Sequence, residues 1–90
     1  MIEREVTVMN QAGIHTRPAS MIVRTAAKFG ADFFIRADEY EINGKSIIGV
    51  MTLAAEPGAR LTLVFDGDDE EAAADALAEL FKNGFGEPLV

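Results

Sequence analysis

The stretch Gly13-Ile14-His15-Thr16-Arg17-Pro18 places the only histidine of the chain two residues before an arginine and three before a proline. Proline is tolerated in the first turn of a helix, where its missing N–H leaves no hydrogen bond unmade. The segment therefore reads as a loop running into a helix N-terminus, with unpaired backbone amides and about half a positive charge. Such an end stabilises anions, phosphate above all, and Arg17 adds a fixed donor fork matched to phosphate oxygens. The same field disfavours an imidazolium at His15 and keeps the ring neutral and nucleophilic. Neutral imidazole attacking a phosphoryl donor yields a phosphohistidine. Gly13 frees the backbone for the turn that precedes it. A lone histidine at a helix start also serves simply as a polar cap, and no carboxylate lies in the segment to support two-group acid–base chemistry.

Ser46 opens a second candidate. It precedes Ile47, Ile48, Val50, Met51 and Leu53, and caps a short apolar helix. A phosphate at that position is tolerated by the helix end. A helix this short cannot bury all five apolar side chains, so part of it forms an exposed contact surface containing methionine.

These residues sit in a chain of 90 residues and 9.7 kDa, enough for one domain over 1–90. Its net charge of −7 opposes nucleic acid and anionic membranes as general partners. With no cysteine and one histidine, disulfides, thiolate sites and multi-histidine metal cages are excluded. No metal or cofactor is expected. No basic leader and no apolar run near the roughly 18 residues of a membrane span are visible, so a cytoplasmic protein is expected. The charge is uneven. Val6 through Ala31 and Ile42 through Ala55 hold no acid, whereas Asp66 through Glu79 hold seven acids and no base. The acids at the last helix start suit its dipole, and the two acid-free segments together suggest a neutral-to-basic working face.

Alternation over Ile2 to Val8 predicts a first strand. Asn10 to Gly13 reads as a loop. Apolar spacing from Thr16 through Ala19, Ile22, Val23, Ala26 and Phe29 predicts a helix stopped by Gly30. Ala31 to Ala37 alternates with Phe33 and Ile35 inward, and Glu39 to Ile42 forms a short strand before the Asn43-Gly44 turn. The Ser46 helix comes next. Arg60 to Asp66 is a fourth strand with Leu61, Leu63 and Phe65 inward. A final helix buries Ala73, Leu77, Leu80 and Phe81, with Gly84 at its cap. The β-α-β-β-α-β-α order predicts an α+β open-faced two-layer sandwich. Its four-stranded antiparallel sheet carries three helices on one face and leaves Phe34 and Val64 on the open face.

With these motifs the chain resembles the histidine-containing phosphocarrier (HPr) family of the bacterial sugar phosphotransferase system. Gly13-Ile14-His15-Thr16-Arg17-Pro18-Ala19 is similar to the family's active-site signature, with Thr16 in place of the usual alanine. Lys45-Ser46-Ile47-Ile48-Gly49-Val50-Met51 is similar to its serine-centred signature. The likeness extends over residues 1 to 86, and the few residues after Gly86 read as a variable tail.

The resemblance implies a carrier, not an enzyme. His15 would accept phosphate on Nδ1 from phosphorylated enzyme I, charged by phosphoenolpyruvate, and pass it to enzyme IIA, with Arg17 holding the group. Ser46 would be the site of an ATP-dependent HPr kinase/phosphorylase that weakens acceptance at His15, with a transcription regulator as a further partner. Thr16, Ser20, Met21, Arg24, Lys45, Ile47, Ile48 and Met51 would form the docking surface of a monomer, and the Thr16 hydroxyl would cap the first helix. Two alternatives remain at this point. One is a regulatory paralogue in a nitrogen-type phosphorelay or in carbon-catabolite control; the other is a small acyl-phosphate hydrolase.

Overall fold

A computed structural model describes residues 1–90. Four strands and three helices follow in order: β1 (Ile2–Thr7), α1 (Thr16–Ala26), β2 (Asp32–Ala37), β3 (Tyr40–Asn43), α2 (Ile47–Thr52), β4 (Arg60–Asp66) and α3 (Glu70–Lys82). A single 3-10 turn, Gly84–Gly86, closes the sequence of elements. The strands form one antiparallel sheet in the order β1-β4-β2-β3. This is the open-faced α+β sandwich expected from the element order.

The sheet's inward face is set by period-two alternation. Ile2, Val6, Leu61, Leu63, Phe65, Phe33 and Ile35 fall on it through the registers Ile2↔Phe65, Val6↔Leu61, Phe33↔Phe65 and Ile35↔Leu63. Phe33 and Phe65 stack with ring centroids 4.7 Å apart. Onto this face α1 sets Ala19, Ile22 and Ala26, and α3 sets Ala73, Ala74, Leu77 and Phe81. Those positions recur at helical spacing, and together they close one core. On the opposite face Val64 is only 6% exposed, although that face was expected to lie open. It pairs between Glu3 and Phe34, and Arg36 bridges Glu3 and Glu41 nearby.

Two helix ends differ from the expectation. The first helix stops at Ala26, with Ala27 as its C-cap, before Phe29 and Gly30. Gly30 does not cap it. Its N–H and that of Ala31 both donate to the Asp69 carboxylate at 2.8 Å, which ties the α1–β2 link to the start of α3. Asp69 is thereby drawn away from capping its own helix, and Glu70 accepts from the Gly67 N–H instead. At the other end of α3, Asn83 is the C-cap, and Gly84 begins the 3-10 turn.

The residues after Gly86, read from the sequence as a variable tail, are hydrogen-bonded into the fold. Asn10 and Leu89 form an antiparallel bridge. Gln11 N–H donates to the Pro88 carbonyl and Val90 N–H to the Met9 carbonyl, each at 2.8 Å. The chain end is thus pinned beside the loop that leads to His15. No helix is long and apolar enough to cross a membrane.

Candidate functional site: the start of the first helix

His15 is the N-cap residue of α1, with extended backbone (φ −109°, ψ −165°) and its carbonyl accepting from the Ala19 N–H at 3.0 Å. The side chain makes no capping bond, and the expected Thr16 hydroxyl cap is absent too: Thr16 lies one residue inside the helix, exposed. The first amides of α1 therefore lack intrahelical acceptors. Pro18, buried in the first turn, removes one such donor without cost.

Gly13 holds the approach to the helix. Its φ of +70° belongs to the left-handed region, and a Cβ there would stand 2.6 Å from the Ala55 carbonyl oxygen. Ile14 N–H donates to that same oxygen at 2.9 Å, and the Ile14 side chain is buried. The loop is therefore clamped on both sides of His15, by the Ala55 segment and by the helix.

The unexpected component is Glu87. Its carboxylate faces His15 Nε2, with Oε1 at 3.0 Å and Oε2 at 2.9 Å. It also accepts from Arg17 Nη1 at 3.1 Å and from Asn10 Nδ2 at 2.9 Å. Only 13% of this side chain is exposed. The His15 hydrogen bond, with those of Asn10 and Arg17, holds the Glu87 carboxyl below the usual glutamate range against the opposing cost of partial burial. The acid-free character of residues 6–31 is thus true along the chain but not in space.

Three consecutive left-handed residues deliver this carboxylate: Gly84 (φ +58°), Phe85 (φ +59°) and Gly86 (φ +73°). Phe85 adopts a conformation uncommon for a large side chain because its ring is buried in the core, edge-on to Phe81 at 5.0 Å. Its carbonyl receives Arg17 Nη1 at 2.9 Å. Asn10 completes the arrangement. It is wholly buried, and its two amide protons go to the Gly13 carbonyl and to Glu87.

His15, Thr16, Arg17, Ser20, Met21 and Arg24 line one shallow depression along α1. The structure thus brings together the expected residues of the first helix. Ser46 starts the neighbouring α2 as its N-cap, its hydroxyl accepting from the Gly49 N–H at 3.1 Å. On that helix Ile47, Ile48 and Met51 are exposed, Ile48 by 75%, while Val50 and Leu53 are buried. Lys45 is partly engaged in the fold, its ammonium donating to the Phe29 carbonyl at 2.8 Å. No three His, Cys, Asp or Glu side chains stand together as a metal site.

Glu87 and Asn10 were not found from sequence. The one available signal was the Gly84-Phe85-Gly86 pattern, which marks a tight turn aimed at something.

An open α+β sandwich with a histidine at an uncapped helix start, flanked by arginine, is the frame of a phosphocarrier domain, and comparison with known proteins agrees. Residues 2–83 match the family described as PTS HPr component phosphorylation site. The phosphocarrier protein HPr of Treponema pallidum is 45% identical over 97% of this chain and 99% of its own. The HPr-like protein Crh of Halalkalibacterium halodurans is 40% identical over 86% of this chain and 92% of its own. The crystal structure of HPr-C-His from Thermoanaerobacter tengcongensis superposes with a TM-score of 0.94 at 40% identity, covering 99% and 100% of the two chains. The chain belongs to the HPr family of the phosphotransferase system, phosphocarrier proteins rather than enzymes.

Proposed function

We propose that this chain carries a phosphoryl group on His15 between phosphorylated enzyme I and enzyme IIA proteins. One observation carries the reading: His15 stands at the uncapped start of α1 with Nε2 occupied by Glu87 and Nδ1 unpaired. In the transfer the Nδ1 lone pair attacks the phosphorus of the donor. A new N–P bond forms while the donor's own bond to phosphorus breaks, and the leaving group departs with that electron pair. The phosphoryl oxygens then meet the free amides at the helix start, where the dipole favours negative charge. Arg17, 56% exposed and held only by Phe85 O and Glu87, is free to turn a guanidinium N–H onto the phosphoryl group. Transfer onward reverses these bonds.

The docking surface combines Thr16, Ser20, Met21 and Arg24 on α1 with Lys45, Ile47, Ile48 and Met51 around α2. Its exposed apolar residues, beside bases, suit a partner with an apolar and acidic face. The proposed working unit is a monomer, placed in the cytoplasm with its partners. Ser46 is the regulatory site: a phosphate there would sit on a helix start and bring negative charge into this surface, weakening docking. A kinase for Ser46 and a transcription regulator complete the proposed partners.

A second reading, a regulatory paralogue, is favoured by the likeness to the HPr-like protein Crh. The presence of His15 favours the carrier. The test is incubation with enzyme I, labelled phosphoenolpyruvate and a sugar-specific enzyme IIA. Acid-labile label passing through the chain to IIA, and lost in His15→Ala, is the expected result. Undiminished labelling of His15→Ala would overturn the assignment, and transfer only to a nitrogen-type IIA would favour the paralogue.

A further inference from the structure

The Glu87 carboxylate makes hydrogen bonds to three residues of the His15 region: His15, Arg17 and Asn10. Its backbone is extended (φ −101°, ψ 166°), and it follows the left-handed run Gly84–Gly86. Asn10 is wholly buried, gives both amide protons to this arrangement, and leaves its Oδ1 with no partner. A buried unpaired oxygen is costly, so the Asn10 amide is oriented for its donors. The strained Phe85 backbone and the orphan oxygen both serve to place one carboxylate against one ring nitrogen.

We propose that Glu87 is a positioning residue for phosphoryl transfer: it keeps the proton of His15 on Nε2, and stabilises the ring cation formed when Nδ1 takes the phosphoryl group. The first half follows from donor and acceptor chemistry. An ionised carboxylate only accepts, so a ring nitrogen 2.9 Å and 3.0 Å from its oxygens must donate. In a neutral imidazole the remaining nitrogen, Nδ1, then holds the lone pair.

The second half rests on the carrier reading above. When Nδ1 bonds to phosphorus without loss of the Nε2 proton, the ring becomes a phosphoimidazolium, and its positive charge lies against Glu87. The protonated ring is also the better leaving group, since the N–P electron pair returns to a neutral imidazole when the phosphoryl group moves on. The other charged groups around the ring are Arg17 and Arg24 of α1, and Glu56 belongs to the loop that packs on Gly13. Glu87 is the hydrogen-bond partner of the ring, a role analogous to the carboxylate that orients a catalytic histidine.

The test compares the full chain with Glu87→Gln and Glu87→Ala. Imidazole ¹⁵N signals of the unphosphorylated protein, read where the ring is neutral, report the tautomer without any phosphate. The full chain is expected to show a protonated Nε2 and a bare Nδ1. Glu87→Ala should show a mixed population, and Glu87→Gln should keep the pattern because its amide oxygen still accepts. After loading by enzyme I and phosphoenolpyruvate, both variants should lose phosphate at mildly alkaline pH about tenfold more slowly, the lower end of what an opposite charge at this distance is worth to a proton equilibrium. An unchanged tautomer in Glu87→Ala, or phosphate loss at the parent rate in Glu87→Gln, would overturn the proposal. Should the full chain take no phosphate at all, the carrier reading fails, while the ¹⁵N pattern still decides whether Glu87 sets the ring. Glu87→Gln is isosteric and carries the decision if Glu87→Ala does not fold.

Discussion

His15 and Ser46 are N-cap residues of α1 and α2, both with extended backbone, at φ −109° and φ −103°. Each is followed by a helix with no acid in its first turn. The Ser46 hydroxyl turns inward and accepts from the Gly49 N–H of its own helix. The His15 ring turns away from α1 and meets Glu87, 72 residues distant in sequence. One side chain completes its helix; the other leaves its helix incomplete and is held by a remote carboxylate. The difference teaches that withdrawing the capping side chain leaves the first amides of α1 open to an anion, whereas Ser46 already engages one amide of α2.

The sharpest way to break this contrast is to release the chain end. Phe85→Ala removes a buried ring from the core and the anchor of the left-handed run. We expect a loss of about 3–5 kcal/mol in unfolding free energy by denaturant titration. If the chain end were dispensable, the loss would match an exposed substitution, within about 0.5 kcal/mol.

Gly13→Ala attacks the other side of His15. Left-handed backbone and a 2.6 Å approach to the Ala55 oxygen act together, so a loss of about 2–3 kcal/mol is expected. Thermal melting should fall by roughly 10 °C or more for a domain of this size. A melting temperature equal to the parent's would show that the loop relaxes freely and does not clamp the ring.

Ser46→Ala removes a purely local cap, with an expected cost of about 1 kcal/mol. The ¹⁵N signals of His15 should stay in place. A change in them would mean that the two helix starts are coupled rather than independent.

The smallest effect is expected in acid. Glu87, held low by His15, binds fewer protons in the folded than in the unfolded state, as do Asp69, held by the Gly30 N–H, and Glu70, held by the Gly67 N–H. Their stabilisation is fully present above the unfolded carboxylate range of about pH 4 and fades as pH falls through each folded value. Denaturation midpoints should therefore decline below about pH 4, with a shallower decline in Glu87→Gln. Equal slopes for parent and variant would show that Glu87 contributes nothing to the acid response.

Much of this contrast was legible along the chain because its signals are local. Ser46 with its apolar followers, and Gly13 through Pro18, lie in continuous stretches, so spacing alone places them on helix starts. The strands were equally plain, since Leu61, Leu63 and Phe65 or Phe33 and Ile35 alternate. Glu87 was not legible, because its role depends on a turn of three left-handed residues and on backbone bonds from Gln11 and Val90. The end of α1 was misplaced for a similar reason: Asp69, far along the chain, captures the amides of Gly30 and Ala31. Val64 is covered by neighbours on adjacent strands, which alternation within one strand does not reveal.

The central claim is that His15 takes phosphate on Nδ1, and ³¹P–¹⁵N correlation on the chain loaded by enzyme I and phosphoenolpyruvate tests it most directly. The expected result is one acid-labile phosphorus signal, bonded to Nδ1 of His15 and absent in His15→Ala. A phosphorus signal bonded to Nε2, or one that survives in His15→Ala, would contradict it.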